Sequence, residues 1–352
     1  MILIKILLYP VALLYGFIMM VRNKFFDWNL LPSEEFPVKI ISIGNLSYGG
    51  TGKTPLTEYL IRLLKEDKKT AVLSRGYGRN TKGFILAAEQ HSDLDIGDEP
   101  LQYYRKFPGL TIAVDANRRN GIKEILSHVP ETGVILMDDA YQHRYVKPDI
   151  SILLTDYHNL YSNDFPIPTG TLREFRRCSK RADIIVVTKT PKVFSPILRR
   201  DIHKKLSPKP HQKIFYSFIQ YLDPIPLQPS DSQENATKKH QYILLFSGIA
   251  NSYPLQDHLR KFCRDLIVKD FRDHHKYSVK DIKAIIDTYN NILSKDKVIF
   301  TTEKDAMRLE KKGFSELLSE LPVYYIPINI QFHEFDELRF DKFIHSHVTG
   351  NK

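Results

Sequence analysis

The residues most able to do chemistry sit in one short stretch, SYGGTGKT, Ser47 to Thr54, between a β-branched run and an amphipathic one. Glycines at 49, 50 and 52 let backbone N–H groups close around a polyphosphate. Lys53 can then reach the β and γ phosphates, and Thr54 can ligate Mg²⁺. Gly49, Gly50, Thr51, Gly52, Lys53 and Thr54 are therefore the candidate nucleotide-binding residues. The usual pattern opens on glycine, and Ser47 stands there instead, so a strict match fails by one position. The plainer alternative is a glycine-rich β-to-α turn that holds no ligand.

A nucleotide site needs a second anion to hold the metal. The run GVILM ends in Asp138 and Asp139, which places carboxylates at the carboxyl edge of a sheet, where such folds bind ligands. With Thr54, both are candidate metal ligands, and Asp138 is the first choice. Read alone, paired acids after a strand are ordinary loop residues. Two further polar clusters stand out: Gly97-Asp98-Glu99-Pro100 at a helix start, and Phe271 to Tyr277 (FRDHHKY) after a strand. An acid at a helix start commonly caps it, and a His pair without a third ligand argues against zinc. The stretch REFRRCSKR, Arg173 to Arg181, is either a solvated charge run or a recognition surface for phosphate, which Arg pairs bidentately.

These groups need elements to position them. Strand-like runs recur at Val38–Ile43, Thr70–Ser74, Leu110–Val114, Gly133–Met137, Ser151–Thr155 and Asp183–Thr188, several separated by helix-length segments. The first is followed by an amphipathic helix over Pro55–Lys65. Such near-continuous apolar strands indicate a largely parallel sheet covered on both faces. The polar stretch Leu227 to Gln241 reads as a linker or long loop. Beyond it the alternation repeats on a smaller scale: YILLFSG, a helix-like Asp257–Arg264, DLIVKD, a helix over Val279–Leu293, KVIFTT and VYYIPI. The expected division is a helix over 1–28, a larger α/β domain over 29–216, a linker over 217–241 and a smaller α/β domain over 242–352.

At the amino terminus, Ile6 to Val21 carry no charge and Arg22 and Lys24 follow. The run falls near the lower length for crossing a bilayer, Pro10 interrupts it, and the basic flank favours the cytoplasmic side. A cleaved signal peptide and a buried core helix are the alternatives to membrane contact. The net charge of +10 implies an anionic partner: nucleic acid, membrane surface or phosphorylated substrate. Cys178 and Cys263 are too few for a disulfide framework or a thiolate site, so any metal must sit on oxygens.

Taken together, GNLSYGGTGKTP, SRGYGR (Ser74 to Arg79), GDEP, DDAYQHR (Asp138 to Arg144), PTGTLRE (Pro168 to Glu174), RADIIVVTK, FSGIAN (Phe246 to Asn251), FRDHHKY and TTEKDAMRL resemble the tetraacyldisaccharide 4'-kinase family, the lipid A 4'-kinases of Gram-negative bacteria. The resemblance covers nearly the whole chain. It implies a P-loop NTPase-like α/β/α domain joined through a short β linker to a smaller α/β/α domain, with the active site between them. It also implies ATP-dependent phosphorylation of the 4' hydroxyl of a tetraacyldisaccharide 1-phosphate at the cytoplasmic face of the inner membrane, through a monotopic or single amino-terminal anchor. By the same resemblance the catalytic acid falls on Asp98, its cooperating histidine on His274 and the loop lysine on Lys53. ATP and Mg²⁺ are the expected cofactors. Arg75, Gln142, His143, Arg173 and Glu174 fall on the substrate side. The partners are then the lipid disaccharide and anionic lipids, with no nucleic acid, and the chain is expected to be a monomer.

Two positions depart from the family pattern: Ala140 replaces a glycine in DDAYQH, and Ile167 to Gly170 read IPTG for LPAG. Neither removes a group that acts chemically. A membrane-attached P-loop ATPase or GTPase switch is the rival reading, but it has no use for GDEP. The Asp that in guanine-specific loops follows two residues after the lysine of Thr188-Lys189 is Pro191 here, which favours ATP. Nucleic-acid binding rests on charge alone, and no module for it is visible.

Overall fold

The computed structural model describes residues 2–228, 236–273, 275–309 and 314–350. The chain forms two compact units, one of residues 1–219 with 330–352 and one of 220–329. In the larger, α1 (Ile2–Asp27) is followed by β1 (Lys39–Asn45), α2 (Lys53–Leu64), β2 (Thr70–Ser74), β3 (Ile85–Leu86) and α3 (Asp93–Ile96). Then come α4 (Asp98–Lys106), β4 (Thr111–Val114), α5 (Arg118–His128), β5 (Val134–Met137), β6 (Ile150–Asp156), β7 (Ile184–Thr188), α6 (Pro196–Leu206) and β8 (Lys213–Tyr221). The strands order as β8-β7-β6-β1-β5-β2-β4-β3, all parallel except the edge strand β3.

The sheet's two faces follow from the period of two along each strand. In β1, Ile41 and Ile43 join the apolar cluster of Leu56, Leu60, Ile61 and Leu64 of α2, while Ile40 on the opposite face packs with Ile122 and Ile125 of α5. The four α2 residues recur at helical spacing and are all fully buried. Each stabilises the unit by about 1.5–3 kcal/mol relative to exposure, so α2 and the loop before it are held firmly on β1. From β1 the chain crosses to β2, β4 and β5 on one side and then to β6, β7 and β8 on the other. The glycine loop therefore leaves the central strand where the strand order reverses, the natural ligand crevice of such sheets.

The smaller unit contains β9 (Ile225–Pro226), β10 (His240–Ser247), α7 (Tyr253–Leu259), β11 (Cys263–Asp270), α8 (Val279–Asn290), β12 (Lys297–Thr302), α9 (Glu303–Leu309), α10 (Phe314–Leu318) and β13 (Val323–Ile326). Its sheet runs β11-β10-β12-β13-β9, parallel but for β9. The helix expected over Asp257–Arg264 lies earlier, because Cys263 and Arg264 already belong to β11.

The expected carboxyl boundary is corrected. β14 (Ile328–Phe332) hydrogen-bonds β8 at the edge of the larger sheet, and α11 (Phe335–Thr349) packs Phe340, Ile344 and Val348 into the cluster that holds Ile41 and Leu60. Tyr59 of α2 donates to Asp341 at 2.7 Å. Residues 330–352 thus complete the larger unit. At the other end, α1 runs unbroken through Pro10, which lies on its exposed side, and buries Ala12, Asn23 and Phe26. Among the described residues no helix is long and apolar enough to cross a membrane.

Candidate active site

The larger unit brings the phosphate loop and the Asp138-Asp139 pair together at the carboxyl ends of β1 and β5. Gly49 and Gly52 have φ of 116° and 85°, and a Cβ at Gly49 or Gly50 would meet nothing within 4 Å, so the loop presents open backbone on that side. Lys53 opens α2 and lies 3.6 Å from Asp139. The Thr54 hydroxyl donates to Glu99 at 2.8 Å. That contact reaches from the glycine loop to α4, whose first residue is Asp98 and whose N-cap is Gly97. Gly97 has φ of 93°, and a Cβ there would lie 2.9 Å from the Tyr77 carbonyl, so glycine is required to turn the chain into the helix at this point. The Asp98 carboxylate accepts from the Glu99 amide at 3.0 Å.

Asp138 is fully buried and accepts from Tyr103 at 3.1 Å and from the Asp139 amide at 2.9 Å. Burial, and then the negative charge of Glu99, push its carboxyl up to about 7. Asp139 has the reverse balance: Lys53 and Arg173 overcome its desolvation and hold it below the usual carboxylate range. Arg173 binds both Asp139 oxygens, at 3.0 and 3.1 Å. Among the described residues no three His, Cys, Asp or Glu side chains form a metal cluster. Magnesium does not require one, since it is commonly held by one or two carboxylates, waters and substrate phosphates. Thr54, Glu99 and Asp138 supply hard oxygen donors, and a cation would relieve the crowding of negative charge that raises Asp138, so these residues fit Mg²⁺. Asp139 is already neutralised by two cations and is the weaker candidate.

Glu99 was visible in the sequence only as part of GDEP, and the acid that drew attention there was its neighbour Asp98. Tyr103, which orients Asp138, looks like one more core residue of an amphipathic helix. Arg118 was missed as well; it is buried, donates to the Asp138 carbonyl at 3.3 Å, and its desolvation lowers it to about 10, so it stays charged. His274 lies outside the described residues.

The substrate-side residues divide. Gln142 donates to the Asn45 carbonyl at 2.8 Å and accepts from Arg173 at 3.4 Å, which ties the DDAYQHR loop to the end of β1. Arg75 is exposed at the rim of a cavity it lines with Tyr77, Arg79 and Lys82. Glu174 is fully buried, and its carboxylate is taken by Arg181 at 2.9 Å and Asn23 of α1 at 3.0 Å. Glu174 thereby holds α1 on the unit from a buried position.

His143 is pulled down to about 4 by burial and then by Arg118, Arg22, Arg119 and Arg75. The unfolded chain takes a proton near 6.5 that the folded chain refuses until about 4. Stability from the neutral ring is therefore present above pH 6.5 and lost as pH falls toward 4. Thermal melts across that window should show a falling midpoint, and His143→Gln should flatten the slope; an unchanged slope would contradict this assignment.

A parallel sheet feeding a glycine loop from its central strand, with a lysine, a hydroxyl and buried acids converging there, defines a P-loop NTPase-like protein of phosphoryl-transfer type. The relatives narrow this. A curated tetraacyldisaccharide 4'-kinase of Bacteroides thetaiotaomicron is 43% identical over 98% of this chain and 93% of its own length. Another, from Flavobacterium johnsoniae, is 43% identical over 99% and 98%. The crystal structure of LpxK from Aquifex aeolicus in complex with ATP superposes with a TM-score of 0.74, at 25% identity, over 98% of this chain and 99% of that one. The chain belongs to the tetraacyldisaccharide-1-P 4'-kinase family, whose model matches residues 4–349.

Proposed function

We infer that the protein transfers the γ-phosphoryl group of ATP to the 4' hydroxyl of a tetraacyldisaccharide 1-phosphate, giving lipid IVA in lipid A biosynthesis. The observation that carries the reading is the family match along nearly the whole chain, joined to the convergence of Lys53, Thr54, Glu99 and Asp138 at the glycine loop. Thr54, Glu99 and Asp138 would hold Mg²⁺, which would supply charge neutralisation for the phosphoryl group. Lys53 draws negative charge from the β and γ phosphates. Asp98, exposed enough at the start of α4 to meet a hydroxyl, accepts the acceptor's proton as the new P–O bond forms. By family resemblance His274 shares that proton load. Arg173 and Gln142, linked to one another and to Asp139, border the acceptor side.

A monotopic position on the cytoplasmic face of the inner membrane is supported by the outer face of α1. Leu7, Val11, Leu14 and Ile18 recur at spacings of three and four and are each more than half exposed, a stripe that fits the interfacial layer of a bilayer. Beside it, Leu13, Leu14, Phe17, Met20 and Phe175 line an open groove with Arg176 and Arg177, cations suited to anionic headgroups. One experiment tests both parts: γ-labelled ATP, Mg²⁺ and tetraacyldisaccharide 1-phosphate in anionic vesicles. Labelled lipid, with the protein sedimenting alongside the vesicles, is the expected result. Release of free phosphate without labelled lipid would favour the switch ATPase, and Leu14→Glu with Ile18→Glu should reduce sedimentation if α1 is the contact.

A further inference from the structure

Three successive carbonyls of the glycine loop are each taken from outside by a side chain. Asn45, at the end of β1, donates to Gly49 O at 3.4 Å and to the Thr51 hydroxyl at 2.7 Å. Thr188, at the end of β7, donates to Thr51 O at 2.8 Å. Lys189 donates through Nζ to Gly50 O. A peptide unit is planar, with its C=O and N–H pointing in opposite directions. The Thr51 N–H closes on Gly49 O at 3.0 Å, so fixing the carbonyls of residues 49, 50 and 51 holds this tight turn and directs the N–H groups of Gly50 and Gly52 away from the anchors, toward the side a polyphosphate would occupy.

Of the three anchors, Lys189 is held at the greatest cost. Its φ is +57°, a left-handed conformation that is strained for a residue with a Cβ and persists only where surroundings over-determine it. Those surroundings are visible. The Lys189 ammonium is also paired with Asp156 at the end of β6, at 2.8 Å, and the next residue, Thr190, is fixed by Ser217 O at 2.9 Å and His333 Nε2 at 2.7 Å. The ammonium thus spans from β6 to the phosphate loop, crossing the mouth of β1. We propose that Lys189 is a positioning residue for ATP: its ammonium, charge-balanced by Asp156, pins the Gly50 carbonyl and so holds the Gly49–Thr51 turn in the shape that sets the flanking N–H groups of Gly50 and Gly52 for the phosphates before nucleotide arrives. This gives a role to the Thr188-Lys189 pair, which without a following Asp has no guanine to recognise, and it rests on the ATP reading above.

Calorimetric binding of MgATP to the full chain, without lipid acceptor, tests the idea. Lys189→Met keeps the aliphatic stem and loses the charged donor, and should raise the Kd for ATP roughly ten- to a hundredfold, the range expected for one charge-assisted hydrogen bond. In turnover the loss should fall on KM for ATP and leave KM for the acceptor in place. Lys189→Asn separates amine from backbone, because asparagine accepts the left-handed conformation and so folds without strain. It should bind ATP as weakly as the methionine variant. Wild-type affinity in either variant would overturn the proposal, and recovery in the asparagine variant alone would reduce Lys189 to a backbone-shape role. Asp156→Asn should weaken ATP severalfold through the same contact. A wild-type chain that binds no ATP would instead overturn the nucleotide reading and take this inference with it.

Discussion

Replacing Asp98 by alanine should lower kcat for lipid phosphorylation by roughly 10²- to 10⁴-fold, the usual contribution of a positioned general base, while the KM for ATP changes little. The split matters because Asp98 sits at the first residue of a helix, where a carboxylate also interacts favourably with the macrodipole. A helix-end role alone would appear as about 0.5–2 kcal/mol of lost stability and leave the chemical step intact. The proposed base role fits the placement of Asp98: it adjoins Glu99, which meets the glycine-loop hydroxyl of Thr54, so the first turn of α4 abuts the proposed nucleotide site. Asp98→Asn should be nearly as slow as alanine, since an amide keeps the size and cannot take a proton. Steady-state kinetics with both substrates varied decides between the roles. A pure stability loss with normal kcat would return Asp98 to capping.

The central strands of both sheets were legible because they read as short apolar runs bounded by turn residues, whereas the peripheral strands β3, β8, β9 and β14, short or only partly buried, were not. The glycine loop was legible because its backbone demands leave almost no choice of residue. What the sequence concealed were partners rather than elements. β14 and α11 lie beyond the last run read from the sequence, and nothing in their residue pattern says that they return to β8 and α2 rather than staying with the smaller sheet they follow. Glu174 and Arg181 read as parts of a basic surface stretch, yet they close on one another and on Asn23, more than 150 positions away in sequence. Glu99 and Asp98 are equivalent as residue types, and only the Thr54 contact gives them different work. Lys189 was weighed for a nucleobase role, whereas its left-handed backbone, invisible in sequence, aims it at the phosphate loop.

Lys53→Ala should reduce kcat/KM for ATP-dependent phosphorylation by about 10²- to 10³-fold, comparable to removing one preorganised donor aimed at developing charge. Its ammonium opens α2 directly behind the glycine loop, where the proposed β and γ phosphates would sit, and backbone N–H groups alone cannot follow charge as it moves during transfer. The substitution is also expected to leave the fold nearly untouched. Lys53 pairs with Asp139 at 3.6 Å, but Arg173 binds that same carboxylate at 3.0 Å, so its removal does not strand an uncompensated buried charge. Thermal unfolding should therefore stay close to wild type while phosphoryl transfer collapses. Double replacement with Arg173→Ala should cost markedly more stability than the sum of the single changes, because Asp139 then loses both cations. Near-normal transfer by Lys53→Ala would discard the nucleotide-site assignment altogether, for no other described lysine opens the helix behind the glycine loop.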